Sequence, residues 1–308
     1  MVTRVGSAAA HRAVLRLNCL PPACLPLKSR SSNSMSREIT RRHFVALGAA
    51  TLLSLGMWPG RLRAGDLREA RKFTFLAVND LHFAEEEKCG LWFQKAVAAM
   101  KQSAPQAEFC LLCGDLADSG EAAQHIGVRN AFAGLGIPVY SAVGNHDYRS
   151  RSDRRSYEET FKGQINYIVE HDGWQLVGID TTDGTGWRDT KISPETFTWL
   201  RENLPRLDHR KPTILFTHFP LGAEVPMRPL NADDVLEQFL EFNLRAAICG
   251  HFHGYTERRQ GSALINTGRC CSRVRSNHDD SKEKGWLVCH TTDSGEVKRE
   301  FVEFRDSA

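Results

Sequence analysis

Five short segments place His, Asp and Asn side chains in an order that could build a metal site: Asp80-Leu81-His82, Gly114-Asp115-Leu116-Ala117-Asp118, Gly144-Asn145-His146-Asp147, Thr217-His218 and Gly250-His251-Phe252-His253. Singly, each has a plain explanation. Asp-x-His occurs by chance in many chains, and Gly-Asn-His-Asp suits a turn. A lone His after a strand is more often a packed or surface residue than a ligand. Positions i and i+2 on extended backbone do share a face, so Asp80 with His82, and His251 with His253, can converge on one ion. Jointly the segments read differently. Of the ten histidines in residues 65–308, five fall inside them. Glycine precedes three of the segments, where backbone must bend sharply and approach a ligand closely.

The elements that must position these residues are legible as apolar, β-rich runs alternating with helical patterns. Strands are expected over Phe73–Val78, Glu108–Cys113, Val139–Val143, Thr213–Thr217 and Arg245–Cys249, and each ends where one of the five segments begins. Helices are expected over Leu91–Lys101, Glu121–Ala133, Pro194–Leu204 with Ser193 as N-cap, and Ala232–Phe242 with Asn231 as N-cap. Tyr167–Glu170 and Gln175–Ile179 read as a hairpin around Asp172-Gly173. Tyr148–Phe161 is charged and reads as a surface loop or short helix, while Ala263–Thr267, Trp286–Thr292 and Val297–Phe304 are β-like. The class is α/β, and such sheets bind ligands at the carboxyl ends of their strands.

D-x-H, G-D-x-x-D, G-N-H-D, H and G-H-x-H in this order resemble the calcineurin-like metallophosphoesterase superfamily, from about Phe73 to Gly254. The resemblance implies a four-layer αββα sandwich, two mixed sheets packed face to face and flanked by helices. It implies that Asp80, His82 and His253 hold one metal, that Asn145, His218 and His251 hold another, and that Asp115 bridges them. His146 would face the scissile phosphoester, with Asp118 behind the ligands and Asp147 orienting the His146 imidazole. Carboxylate, imidazole and amide donors suit two divalent or trivalent ions such as Fe, Mn, Zn or Co. The implied reaction is in-line attack on phosphorus by a hydroxide bridging the ions, with His146 stabilising the transition state or protonating the leaving oxygen.

Departures narrow the branch. Asp118 stands where purple acid phosphatases carry Tyr, and Asp147 where protein Ser/Thr phosphatases carry Glu. The pattern is most similar to class III cyclic-nucleotide phosphodiesterases and glycerophosphodiesterases. A small-molecule phosphodiester is therefore the expected substrate. A phosphomonoesterase, a nuclease or a non-catalytic metal-binding member are the alternatives. Tyr148, Arg149, Trp187 and Arg188 are candidate substrate contacts, through arginine's fit to phosphate and tryptophan's ability to stack. Exposed loop residues without a ligand are an equal reading of the same four.

Charge separates the chain into two parts. Residues 1–64 hold ten Lys/Arg and one acid, Glu38, whereas residues 65–308 hold 30 basic and 36 acidic residues. The net charge of +3 therefore belongs to a leader, and a body of this sign would not attract a polyphosphate backbone. Thr40-Arg41-Arg42-His43-Phe44-Val45 precedes an apolar run from Phe44 to Trp58, too short for a membrane span. The leader resembles a twin-arginine export signal, with Met35 as the expected true start and the export machinery as a partner. The expectation is one domain over 65–308, exported to the periplasm or medium, with organelle targeting as the alternative. Seven cysteines remain in the body, and Cys110-x-x-Cys113 on a strand would present its thiols to opposite faces as buried structural groups rather than a zinc site.

Overall fold

The computed structural model describes residues 70–306. The leader expected over residues 1–64, with its Arg41-Arg42 pair and the start at Met35, lies outside the described residues. No helix among the described residues is long and apolar enough to cross a membrane.

Short apolar runs buried on both faces build the middle of each sheet. In β1 (Thr74–Val78), Phe75 and Ala77 point one way while Leu76 and Val78 point the other. All five positions are buried, because each face of the strand meets a separate core. β2 (Ala107–Cys113) repeats the pattern: Phe109, Leu111 and Cys113 join β1's inner residues, Cys110 and Leu112 its outer ones. Cys110 and Cys113 thus lie on opposite faces, and they and the other five described cysteines are free and buried.

One sheet has the order β11-β10-β1-β2-β3, where β3 is Val139–Ala142, β10 Lys284–Thr291 and β11 Val297–Phe304. β1, β2 and β3 run parallel, and β10 and β11 add antiparallel. The other has the order β4-β5-β6-β7-β9-β8, from Tyr167–His171, Trp174–Gly178, Thr213–Phe216, Leu244–Cys249, Ala263–Thr267 and Thr256–Gln260. Its four middle strands are parallel and its two edges antiparallel. Phe75, Phe109, Trp174, Leu176, Ile214, Phe216 and Ile248 fill the space between the sheets. Helices α1 (Glu87–Ser103) and α2 (Ala122–Ala133) cover the first sheet through Phe93, Met100, Val128 and Phe132. A short α3 (Arg155–Thr160) adds Tyr157 to the same core. On the second sheet α4 (Pro194–Asn203) and α5 (Ala232–Gln238) bury Leu200, Val235 and Leu236. The four-layer αββα sandwich is thereby in place.

Ser193 caps α4 as expected, accepting from the Thr196 amide at 3.4 Å. Asn231 holds the N-cap position of α5 as expected, but its side chain makes no capping bond. Its amide instead pairs with both backbone groups of Ile192, at 2.9 and 3.0 Å, tying the loop before α4 to the start of α5. α5 ends at Gln238, four residues short of the expected Phe242. β8 has no apolar alternation (Thr-Glu-Arg-Arg-Gln), and the ladder it forms with β9 is its only visible cause.

Candidate metal centre

All five segments emerge at the carboxyl ends of parallel strands, and they meet. Asp80 and His82 follow β1, Asp115 follows β2, Asn145 and His146 follow β3, His218 follows β6, and His251 and His253 follow β7. The donors form two groups sharing Asp115: Asp80, His82, Asp115 and His253 in one, Asp115, His218 and His251 in the other. Every member is buried.

Asp80 and His82 converge on one group, whereas His251 and His253 part, one to each group, and none of the four sits on the extended backbone the spacing argument assumed. Asp80 (φ 54°), His82 (φ 45°), Asp115 (φ 50°), His251 (φ 67°) and His253 (φ 47°) all adopt the left-handed conformation. That conformation costs a non-glycine residue roughly 1–2 kcal/mol. These five are half of the ten such residues described, so the strain is concentrated where the donors converge. Close approach also explains Gly144, at which a Cβ would lie 2.1 Å from the Asp115 amide nitrogen.

Hydrogen bonds fix which ring atoms face inward. His218 donates Nδ1–H to the Cys113 carbonyl (3.0 Å) and turns Nε2 to Asp115 Oδ1 (3.2 Å) and Asn145 Oδ1 (3.1 Å). His251 donates Nε2–H to the Trp187 carbonyl (2.8 Å), leaving Nδ1 3.1 Å from His218 Nε2. His253 donates Nδ1–H to the Ser276 carbonyl (3.0 Å), leaving Nε2 3.1 Å from Asp80 Oδ1 and 3.2 Å from His82 Nε2. His82 Nε2 is also 3.5 Å from Asp115 Oδ2. In one group the His82 and His253 ring nitrogens face Asp80 and Asp115, and in the other the His218 and His251 nitrogens face Asp115, so each group is suited to hold a positive charge.

The neighbouring carboxylates favour a proton in each group, on His253 and on His218. Burial pulls His253 down, but Asp80 outweighs it and lifts the residue to about 11. Burial likewise lowers His218, and Asp115 with Asp80 lifts it to about 9. His251 falls to about 3, through burial and then the His218 charge. A cation in each group would satisfy the same lone pairs, and imidazole, carboxylate and amide oxygen are donors suited to Zn, Mn, Fe or Co. The residues present fit two such ions.

His146 is held by its amide, which donates to Asp115 Oδ1 (2.8 Å), and by Nδ1, which donates to the Asp118 carbonyl (2.8 Å). Its ring packs edge-on to His82 at 4.7 Å. Asp147 does not orient it. The Asp147 carboxylate is fully buried and accepts from the amides of Leu116 (2.9 Å), Ala117 (2.8 Å) and Gly144 (2.8 Å), and from His125 Nε2 (3.1 Å). The assignment of Asp147 to the chemistry is therefore corrected: it clamps two loops, and a backbone carbonyl does the orienting. Asp118 Oδ1 lies 3.4 Å from His82 Nδ1 and pairs with Arg275.

A cleft of about 210 Å³ opens over the centre, walled by His146, Trp187, Met227, Arg275 and His278. Of the candidate substrate contacts, Trp187 lines it, with the Arg188 guanidinium 4.7 Å above its ring. Tyr148 is buried elsewhere, bonded to Thr182 and Arg154 on the wall of a separate open cavity of about 960 Å³. That larger cavity contains none of the metal-facing donors, whereas the smaller cleft is lined by His82, Asp115, Asn145, His251 and His253. Arg149 pairs with Glu121 at the surface. Arg275 and His278 lie outside all five segments, and nothing in their spacing singles them out.

Residues 73–255 match the family model described as calcineurin-like phosphoesterase. Among curated proteins, the chain is 27% identical to a probable cyclic nucleotide phosphodiesterase of Synechococcus, over 62% of this chain and 76% of that one. It is 22% identical to the 3′,5′-cyclic adenosine monophosphate phosphodiesterase CpdA of Pseudomonas aeruginosa, over 64% and 75%. Among solved structures it is similar in fold to a dimetal phosphatase from Danio rerio (TM-score 0.53, 14% identity, 76% of this chain and 99% of that one). It is likewise similar to the purple acid phosphatase PPD1 of yellow lupin (TM-score 0.57, 12% identity, 77% and 52%).

Proposed function

We propose, from the premise that the chain belongs to the calcineurin-like phosphoesterase family, that it hydrolyses a small-molecule phosphodiester with two bound metal ions. The observation that carries the reading is the pair of buried donor groups sharing Asp115. Such ions, when bound, neutralise phosphoryl charge and acidify water. The chain's own residues do the rest. Asp115 spans both groups through its two oxygens, Oδ1 toward His218 and Oδ2 toward His82. The Asp118 carbonyl keeps a proton on His146 Nδ1, so Nε2 is the nitrogen left to exchange a proton with the leaving oxygen. Preference for a diester draws on the two cyclic-nucleotide phosphodiesterases to which the chain is similar. The acidic balance of residues 65–308 opposes a nuclease, and the full donor set favours an enzyme over a binding member.

The test is metal content together with turnover. Protein loaded with Mn, Fe, Zn or Co is assayed on bis-p-nitrophenyl phosphate, p-nitrophenyl phosphate, cyclic nucleotides and DNA. Metal-dependent turnover of the diesters ahead of the monoester and DNA is expected. Folded protein inactive with all four metals would remove the enzyme reading.

A further inference from the structure

We infer that Arg275 is a substrate-binding residue that holds the anionic phosphoryl group over the centre. This rests on the phosphoesterase reading above. Residue 275 lies in the connection from β9 to β10, far in sequence from the five segments, yet that connection is stitched to a donor. Ser276 accepts from His253 Nδ1 at 3.0 Å, and the His278 amide donates to the His253 carbonyl at 3.1 Å. The His253 ring thus meets the connection on one side and its backbone meets it on the other. The Arg275 backbone is fixed as well: its amide donates to Ser272 Oγ (3.0 Å) and its carbonyl accepts from Lys284 Nζ (2.6 Å).

The side chain reaches the loop after β2. Nε donates to Asp118 Oδ1 at 2.8 Å, and Nη2 lies 2.6 Å from the same oxygen. One carboxylate oxygen therefore takes both contacts, and Nη1 has no acceptor among the described residues. The guanidinium side chain is 40% exposed and lines the cleft with His82, Asp115, Asn145 and His146. A planar cation with free N–H donors, braced by a carboxylate beside a metal centre, has the geometry that recognises phosphate oxygens in pairs. Asp118 then serves three groups at once, holding His146 through its carbonyl and both Arg275 and His82 through its carboxylate.

The experiment compares wild type, Arg275→Ala, Arg275→Lys and Arg273→Ala as metal-loaded full chains. Arg273 pairs with Glu86 outside the cleft and controls for loop charge. Three quantities are read: bound metal, KM and kcat on bis-p-nitrophenyl phosphate, and binding of inorganic phosphate by calorimetry. Arg275→Ala is expected to keep its metal and to weaken both KM and phosphate binding about 10- to 100-fold, the range for a lost charged hydrogen bond. Arg275→Lys should recover only part, because an ammonium lacks the fork, and Arg273→Ala should match wild type. Unchanged phosphate binding in Arg275→Ala, or metal loss with no separate effect on phosphate, overturns the inference. The two readings fail separately. Active protein whose phosphate binding ignores Arg275 sinks only the inference. Metal-loaded protein that turns over no ester but binds phosphate through Arg275 sinks only the enzyme reading.

Discussion

His218 and His253 each turn one ring nitrogen to a backbone carbonyl and the other to a carboxylate, so each is fixed in orientation and raised in basicity. Both are lifted above neutrality, His218 to about 9 and His253 to about 11, which favours a second proton, on the inward Nε2, at pH 7 when no metal is bound. His253 belongs to one donor group and His218 to the other. Each incoming ion must therefore displace one proton. A raised pKa favours the protonated form, so raising pH frees the donor. Affinity for each ion should then rise about tenfold per pH unit from about pH 6 to about pH 8. Chelator competition across that range measures it, and a flat profile would contradict the donor assignment. Substitutions should divide the remaining roles. Asp115→Asn removes charge from both groups and should deplete both metals. His146→Ala should lower kcat about 10²- to 10⁴-fold with metal retained. Equal metal loss in the two variants, read by elemental analysis, would reject this division.

Between elements, the strongest polar link the sequence does not reveal is Asp147. Its carboxylate joins the loop after β2 to the loop after β3 and takes His125 from α2, all without solvent. Asp147→Ala would strand three backbone donors and one ring nitrogen. At about 1–3 kcal/mol for each unsatisfied buried donor, the loss should be at least about 3 kcal/mol. Denaturant unfolding checks this, and a loss below about 1 kcal/mol would return Asp147 to a role in chemistry. The contrast shows what the sequence could and could not convey. Strand ends and donor types were readable because apolar runs stop abruptly at Gly, Asp and His. β8 was not, because its pairing with β9 owes nothing to apolar alternation. Nor was the function of Asn231, whose amide satisfies the backbone of a segment about 40 residues away. Asp147 sits next to His146, and adjacency in sequence misleads because the short 3-10 turn Asn145–Asp147 sends neighbouring side chains in different directions. Arg275 reaches Asp118 across 157 positions, a separation no local pattern encodes.

At the scale of the whole molecule, the centre is also a joint. The sheet carrying β1, β2 and β3 supplies Asp80, His82, Asp115 and Asn145, and the sheet carrying β6 and β7 supplies His218, His251 and His253. Each donor group draws on both sheets, so each bound ion would cross-link the two halves of the sandwich at its carboxyl edge. The apolar layer between the sheets, with Phe75, Phe109, Trp174 and Phe216 fully or almost fully buried, does not depend on the ions. Chelated protein should consequently remain folded but melt earlier. Free metal at a hundred times its Kd stabilises a site by about 2.7 kcal/mol. A domain of this size shifts by about 2–4 °C per kcal/mol, so each ion should raise Tm by about 5–10 °C. Hydrogen exchange locates the effect: metal should slow exchange at the ends of β1, β2 and β3 and equally at the ends of β6 and β7. Slowing confined to one sheet, or a Tm indifferent to chelation, would mean that the ions do not bridge the halves. The same measurement on Asp115→Asn separates joint from ligand, because losing the shared carboxylate should remove protection from both sheets together.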